Sequence, residues 1–335
     1  MRVRILGAGI IGLSCADELL RRGHEVVVVD PAPASGASWV AAGMLTPSAE
    51  VWHGELDLLD LGRRSLALWP RTASRLGVPL QYGGTLLVGS DHGDLQQVER
   101  QCALLAAHGH DVALLDRRTM RDHEPALGPA VAGGAVLADE PSIDPRAVLT
   151  ALLGRTRVVP RAADDCDATV IATGSRLPEP FTSLVRGVRG EIVRVRGGNP
   201  PARTVRGWVR GEPVYVVPRP SGEVVIGATS EEHDAAPVPT VGGVLRLLQA
   251  ARELLPGLDG AEVVEASARD RPGTADNVPL VGPSGVDGVF LAAGHFRHGV
   301  LLAPLTAQLV ADQLEGAPAE AALDPRRFAT EGIRR

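Results

Sequence analysis

The chain contains 335 residues, of which 44% are hydrophobic and 22% charged, and its formal net charge is −6. This length exceeds the usual size of one domain, so we expect two domains or one large two-layer unit. The negative charge argues against a nucleic-acid surface, and no stretch approaches the ~18 apolar residues that a membrane span requires. Three widely separated cysteines fit a reducing cytoplasm and indicate no metal site.

The N-terminal segment predicts a strand–helix–strand unit. Arg2–Leu6 has the pattern of a short buried strand, and a helix is predicted over residues 10–22. Gly23 follows where a left-handed C-terminal cap belongs. Residues 26–29 form a second, entirely apolar strand, which is typical of a parallel sheet covered on both faces. The chain therefore opens with a βαβ unit.

The next part of the chain combines a loop of small residues with further helices and strands. Residues 31–45 are rich in glycine, alanine and serine, which suits close approach of the backbone to a ligand. Helices are predicted over Leu56–Leu76 and residues 95–108, and a strand is predicted over residues 84–88.

The second half of the chain contains two kinds of strand. Residues 168–174 and 289–294 are apolar strands that end at glycine, so both are predicted to join the N-terminal parallel sheet. Between them, residues 190–196, 214–218 and 223–227 have the alternation and flanking turn residues of antiparallel strands. The pattern indicates a discontinuous nucleotide domain with an antiparallel-sheet domain inserted.

The glycine-rich turn after the first strand carries the strongest single motif. The segment Gly7-Ala8-Gly9-Ile10-Ile11-Gly12 matches GxGxxG between a predicted strand and a predicted helix. In such a motif the first glycine permits the tight turn, the second lets the backbone approach a pyrophosphate, and the third allows close helix packing. Asp30 ends the second strand where a carboxylate accepts hydrogen bonds from ribose hydroxyls. These features predict a dinucleotide site but do not separate NAD from FAD.

Three further segments carry a family resemblance. The segments 37–45 (ASWVAAGML), 271–274 (RPGT) and 293–304 (AGHFRHGVLLAP) together resemble the D-amino-acid-oxidase-like family of FAD-dependent oxidoreductases, and within it the glycine oxidases. The likeness extends from residue 3 to about residue 315. It implies non-covalent FAD, because none of the three cysteines lies in these segments.

The resemblance implies a fold, a domain division and a set of cofactor contacts. The expected fold is α/β, with a discontinuous Rossmann-type FAD-binding domain (1–78, 142–182 and 262–335) and an inserted antiparallel-sheet α+β substrate domain (79–141 and 183–261). A helix over residues 300–314 would direct its positive N-terminus at the flavin. The residues expected to bind FAD are Gly7, Gly9, Ile10, Ile11, Gly12, Asp30, Ser38, Ala41, Ala42, Gly43, Met44, Leu45, Val159, Thr173, Gly174, Gly294, His295, Arg297, His298, Gly299, Val300 and Leu301.

The resemblance also implies three residues that act on the substrate. Arg271 matches the family arginine that binds the substrate carboxylate as a bidentate pair, and Tyr215 matches a tyrosine whose hydroxyl supports that carboxylate. Arg297 matches an arginine near the substrate entrance. Asp270 departs from the family pattern, and an acid at that position could pair with Arg271 and weaken its hold on the substrate. Asp30 stands where this group more often has glutamate.

The implied reaction is oxidative deamination of a small amino acid. Hydride transfer from the substrate Cα to the flavin gives an imine, which hydrolyses to a 2-oxo acid and ammonia, and O2 takes the electrons to form hydrogen peroxide. With glycine the product is glyoxylate, and the imine can feed thiamine thiazole synthesis. Alternatives are a D-amino-acid or sarcosine oxidase, a dehydrogenase with another acceptor, and a non-catalytic flavin-binding protein. The resemblance further implies a homo-oligomer.

Overall fold

A computed structural model describes residues 1–161, 165–233 and 235–328. Among these residues, none of the helices is both long and apolar enough to cross a membrane. The helices are, in chain order, α1 Ile10–Arg21, α2 Ala37–Val40, α3 Leu56–Leu76, α4 His92–Ala107, α5 Arg117–His123, α6 Pro145–Leu153, α7 Val241–Leu254 and α8 Gly299–Leu314. The strands are β1 Arg2–Leu6, β2 Glu25–Val29, β3 Thr85–Gly89, β4 Leu115–Asp116, β5 Gly133–Leu137, β6 Val158–Val159, β7 Ala168–Ile171, β8 Arg186–Gly197, β9 Thr204–Val209, β10 Glu212–Pro218, β11 Glu223–Gly227, β12 Ala261–Gly273, β13 Leu280–Pro283 and β14 Val289–Ala293.

The first sheet contains six strands in the order β13-β14-β7-β1-β2-β6. All neighbouring strands are parallel except the pair β13–β14. The apolar faces of α1, α3, α6 and α8 contribute to one core cluster with the strands, including Leu13, Leu149 and Leu301. A mostly parallel sheet with helices packed against it is typical of the Rossmann-type architecture, and the two later apolar strands join it as the sequence predicted. Strands β1 and β2 are only partly buried, so they are not covered on both faces along their whole length as their apolar sequence predicted.

The second sheet contains eight strands in the order β12-β8-β11-β10-β9-β3-β5-β4. Its pairs are antiparallel except β3–β9, which is parallel. One face packs against α7 through Leu247 and Leu254, together with the sheet residues Val193 and Val216. The predicted α/β class, with an inserted antiparallel-sheet α+β unit, agrees with this architecture.

Strand β12 alters the predicted domain division. It pairs with β8 along its whole length, from Ala261 opposite Gly197 to Gly273 opposite Arg186. The predicted last segment of the FAD domain begins at residue 262, but this pairing assigns β12 to the second sheet. No strand is predicted from these residues because β12 is an edge strand, and most of its residues are partly or fully exposed and need not be apolar. Residues 329–335 of the predicted domain lie outside the described residues.

Several element bounds differ from the sequence-based expectation. Helix α4 begins three residues earlier than expected because Asp91 caps it, accepting from the Asp94 N–H at 2.8 Å. Strand β8 extends well beyond the predicted residues 190–196. Gly23 does adopt the left-handed conformation expected after α1, with a φ of 86°. For α4 and β8, the prediction therefore differs from the structure in where the element begins and ends, not in whether it is a helix or a strand.

Candidate active site

A cavity of about 720 Å³ opens where the carboxyl ends of the parallel strands face the second sheet. In open α/β sheets, ligands bind at this end of the strands. The cavity wall includes Gly7 and Asp30 from the first sheet, and Tyr215 and Arg271 from the second. Its volume is within the range of cofactor and ligand sites.

The glycine-rich turn forms one end of the cavity. Gly7 has a φ of 103°, and a Cβ there would collide with the carbonyl oxygen of Ala172. A Cβ on Gly12 would overlap the Gly7 carbonyl, so its role is close packing, as the motif predicts. Gly9 precedes the first turn of α1 and has space around it. The Ile10 N–H donates to Ser38 Oγ at 3.1 Å, which ties the small-residue loop to this turn.

Asp30 holds the same turn from the end of β2. Its Oδ2 accepts from the Ala8 N–H at 2.7 Å, and its Oδ1 accepts from the Ala32 N–H at 2.8 Å. Each carboxylate oxygen can accept more than one hydrogen bond, so Asp30 retains acceptor capacity for a ribose hydroxyl. The Asp30 N–H donates to the Val159 carbonyl at 3.0 Å, so β6 also supports this residue.

The small-residue loop 41–45 is held by a buried arginine of the second sheet. Arg219 donates to the Ile143 carbonyl at 2.9 Å and also to the Ala42 carbonyl. Burial lowers the pKa of Arg219 to about 10, so it is still charged at neutral pH. Gly43 has a φ of 73°, and a Cβ there would collide with the Ile143 carbonyl. The loop is therefore fixed in close contact with residues 141–145.

The N-terminus of α8 forms a further part of the wall. The helix begins at Gly299, one residue earlier than expected, and its first turn has neither a side-chain cap nor an acidic residue. His295 lies beside it and is within hydrogen-bond distance of Thr306, at 2.8 Å. Burial lowers the pKa of His295 to about 3 and, with Arg297 as the next cause, that of His298 to about 4. Both imidazoles are therefore neutral near pH 7.

These features fit a flavin dinucleotide. The glycine-rich turn brings backbone N–H groups to the cavity, and the uncapped α8 terminus presents partial positive charge to it. A Cβ on Gly9, which lines the cavity, would meet only Ser38 Oγ, at 3.4 Å, so the space beside the turn is open to a bound group.

Tyr215 and Arg271 approach one another over a floor made of two glycines. Tyr215 lies opposite Gly227 across β10 and β11, and a Cβ on Gly227 would overlap the phenol. A Cβ on Gly190 would overlap the Arg271 guanidinium. Burial raises the pKa of Tyr215, and the neighbouring Arg271 acts in the opposite direction. The two glycines therefore create the space in which these side chains meet.

The structure resolves the question raised by Asp270. Adjacent residues of a strand point to opposite faces, and Asp270 pairs with Arg189 through an Nε–Oδ1 contact of 2.5 Å. Arg271 instead donates to the Thr229 carbonyl at 3.1 Å. Among the described residues, no carboxylate lies within ion-pair distance of Arg271. The expectation that Asp270 could neutralise it was wrong.

A cluster of ion pairs that no sequence motif predicts lies beside Tyr215. Arg206 donates to Glu50 Oε1 at 2.9 Å, and both side chains are buried and line the cavity. Arg297 pairs with Glu55 and donates to the Glu50 carbonyl at 3.2 Å. Burial raises the pKa of Glu50, but the nearby cations, led by Arg206, outweigh this and hold it below its ordinary value. This cluster could not be identified from local sequence, because Glu50 and its partner Arg206 in β9 are 156 residues apart.

The predicted cofactor residues occupy two positions relative to the cavity. One group lies on the wall: Gly7, Gly9, Ile10, Ile11, Asp30, Ser38, Ala41, Ala42, Gly43, Met44, Thr173, Gly174, His295, Arg297, Gly299 and Val300. The other group lies behind the wall: Gly12, Leu45, Val159, Gly294, His298 and Leu301. Leu301, for example, belongs to the core, and its carbonyl accepts from Ser65 and Trp69. These residues support the wall rather than form it.

Known proteins resemble the chain over almost its whole length. It is 34% identical over 332 residues to the putative thiamine biosynthesis oxidoreductase ThiO of Rhizobium etli, covering 94% of this chain and 96% of that protein. It is 32% identical over 366 residues to the bifunctional protein ThiO/ThiG of Synechocystis sp., covering 98% of this chain and 54% of that protein. The chain thus spans about half the length of the bifunctional relatives.

A solved structure and a family model agree with these relatives. The crystal structure of glycine oxidase from Geobacillus kaustophilus matches with a TM-score of 0.89 and 28% identity, covering 98% of this chain and all of that one. The family model described as "DAO: FAD dependent oxidoreductase" matches residues 2–313. With the nucleotide-binding turn and the cavity in place, the chain belongs to the DAO family of FAD-dependent oxidoreductases.

Proposed function

We propose that the protein is an FAD-dependent amino-acid oxidase that acts on glycine or another small amine. The observation that carries this proposal is the meeting of Tyr215 and Arg271 above Gly227 and Gly190, inside the cavity that adjoins the glycine-rich turn. A guanidinium without a carboxylate partner is suited to bind a carboxylate as a bidentate pair. The similarity to glycine oxidase supports glycine as the first substrate to test.

The chain's own side chains would orient the substrate rather than perform acid–base chemistry. Arg271 binds the carboxylate, and the Tyr215 hydroxyl donates to the same group. His295 and His298 are neutral and buried, so neither brings charge to the reacting carbon. FAD, held by the glycine-rich turn, loop 41–45 and the start of α8, would supply the two-electron redox chemistry between the amine and O2. The remaining contribution of the protein is fixed orientation, which can supply much of a rate enhancement.

The balanced reaction is glycine, O2 and water giving glyoxylate, ammonia and hydrogen peroxide. Similarity to the putative thiamine biosynthesis oxidoreductase ThiO supports a role in thiamine biosynthesis. We further propose a cytoplasmic homo-oligomer, whose mass light scattering would measure. The finer choice among glycine, sarcosine and D-alanine depends on the volume beside Arg271.

The deciding experiment uses purified protein saturated with FAD. We expect a yellow preparation whose FAD is released completely by acid or heat, since no cysteine is among the described wall residues. Anaerobic addition of glycine should bleach the flavin, and air should then yield peroxide. Bleaching without peroxide would indicate a dehydrogenase with another acceptor. The same test is made with sarcosine and D-alanine. If none of these three amines bleaches bound FAD, the oxidase proposal fails and a non-catalytic flavoprotein is favoured.

A further inference from the structure

The charged side chains around Tyr215 leave one guanidinium without an anionic partner. Arg206 is paired with Glu50, and Arg297 is paired with Glu55. Arg271 donates to the Thr229 carbonyl and lies beside the Tyr215 phenol, and no carboxylate pairs with it among the described residues. Of the three guanidinium groups around Tyr215, Arg271 is therefore the one without a carboxylate partner among the described residues.

The anion beside this cation is fixed in place. Glu50 is 8% exposed, lines the cavity, and accepts from Arg206, which is 6% exposed. Arg206 lies directly opposite Tyr215 across β9 and β10, so the pair and the phenol share one face of the sheet. Arg206, Arg297 and Arg271 all help to keep the Glu50 pKa below its ordinary value. Glu50 is thus an anion in the same part of the cavity as Arg271.

The backbone around Glu50 is also held rigidly. Glu140 accepts from the N–H groups of Ser48 and Ala49, at 2.6 and 3.2 Å. Gln101 donates to the carbonyls of the same two residues, at 2.8 Å each. Because these contacts fix the peptide before Glu50, its carboxylate has little freedom to turn away from a bound ligand.

We propose that Glu50 is a specificity-determining residue: it neutralises Arg206 and so limits the cavity to amines that carry one carboxylate. A second carboxylate on the substrate would meet the Glu50 anion instead of a free guanidinium. Like charges in a buried site disfavour binding, whereas an ammonium or a small neutral group is accepted there. This inference rests on the proposed function, since Arg271 is taken to bind the first carboxylate.

Removing the Glu50 charge should enlarge the range of ligands. In Glu50→Gln the Arg206 guanidinium loses its anionic partner while keeping its place in β9. Arg206 and Arg271, which both lie beside Tyr215, would then be without a carboxylate partner, and an amino dicarboxylate could bind both. A charge-assisted hydrogen bond in a buried site corresponds to about a tenfold or larger change in affinity.

The test compares two ligands that differ by one carboxylate and are not oxidised as amines. Methoxyacetate and oxydiacetate are titrated into the FAD-loaded protein, and binding is followed by the shift of the flavin absorption spectrum. For the wild type we expect methoxyacetate to bind at least about tenfold more tightly than oxydiacetate. Equal or tighter binding of oxydiacetate by the wild type would overturn the proposal.

The variants give the second comparison. In Glu50→Gln we expect oxydiacetate to gain about tenfold or more relative to methoxyacetate, and iminodiacetate to become a substrate. An unchanged ratio would also overturn the proposal. The double variant Glu50→Gln/Arg206→Gln removes the repulsion by Glu50 but also the Arg206 cation, so its gain should be smaller than that of Glu50→Gln. If Glu50→Gln alone does not fold, the double variant still tests the proposal, because a methoxyacetate-to-oxydiacetate affinity ratio unchanged from the wild type would contradict it.

A matched control is Glu223→Gln. Glu223 also pairs with a buried arginine of the second sheet, Arg194, at 2.5 Å, but neither residue lines the cavity. Its ligand ratio should equal that of the wild type. The two proposals can fail separately, because the ligand ratio is measured by binding. If glycine is not oxidised but the ratio of methoxyacetate to oxydiacetate affinity is as expected, only the oxidase proposal is rejected.

Discussion

Arg219 donates a hydrogen bond to the Ile143 carbonyl at 2.9 Å, which joins the second sheet to the loop beside the nucleotide site. The same guanidinium donates to Ala42. A buried cation from one sheet therefore determines the backbone position of a loop that contributes Ala41, Ala42 and Gly43 to the cavity wall.

Replacing Arg219 by methionine should weaken both stability and cofactor binding. The two carbonyls would lose their donor, at a cost of about 1–3 kcal/mol for each buried group left unsatisfied. We expect a lower thermal midpoint and about a tenfold rise in the dissociation constant for FAD, measured by flavin fluorescence. Arg210→Met is the control, because the Arg210 side chain is 81% exposed. Equal FAD affinity in both variants would contradict the role of Arg219.

Adding a methyl group to the glycine floor should damage substrate binding selectively. In Gly190→Ala the new Cβ overlaps the Arg271 guanidinium, and in Gly227→Ala it overlaps the Tyr215 phenol. We expect KM for glycine to rise about tenfold or more in each, with FAD affinity close to that of the wild type. Gly242→Ala is the control, since nothing lies within 4 Å of its Cβ. Normal kinetics in both floor variants would show that Arg271 and Tyr215 do not bind the substrate there.

Adjacent substitutions in β12 should have different effects. Arg271→Ala removes the expected carboxylate contact, so KM for glycine should rise by about 10- to 100-fold. Asp270→Asn instead weakens the pair with Arg189, which also donates to Ala235 and Ala236. That variant should lose stability in a urea titration while KM changes little. A large KM effect from Asp270→Asn would mean that the two residues are coupled through the strand.

The buried carboxyl of Glu140 should make stability depend on pH. Burial raises its pKa from 4.5 to about 7, against the effect of the Ser48 and Ala49 N–H donors. With a raised pKa, the folded state binds the proton more tightly, so this contribution is complete below pH 4.5 and is lost as pH rises through 7. The loss corresponds to about 3 kcal/mol.

The measurement is the free energy of unfolding of the wild type minus that of Glu140→Gln. This difference should fall by about 3 kcal/mol between pH 4.5 and pH 8, because only the wild type titrates at this position. Subtraction removes the contribution of the other ionisable groups. A difference that is constant over this range would mean that Glu140 has its ordinary pKa in the fold.

Local patterns were sufficient for the nucleotide-binding half of the site. A strand, a glycine-rich turn and a helix are contiguous in sequence, and the roles of Gly7 and Gly12 follow from backbone geometry within a few residues. The apolar runs of β7 and β14 likewise predicted their place in the parallel sheet. Tyr215 and Arg271 could be named by family likeness, but their meeting depends on two glycines in other strands.

The charge arrangement of the cavity depended entirely on tertiary structure. Asp270 and Arg271 are neighbours in sequence, yet strand alternation directs Asp270 to Arg189. Glu50 and Arg206 are 156 residues apart, yet they form a buried pair. Sequence by itself determined which ionisable groups the chain carries and where the nucleotide turn begins. Only the tertiary contacts decided that Arg206 has a carboxylate partner and that Arg271 has none among the described residues, because ion pairing depends on distance in space.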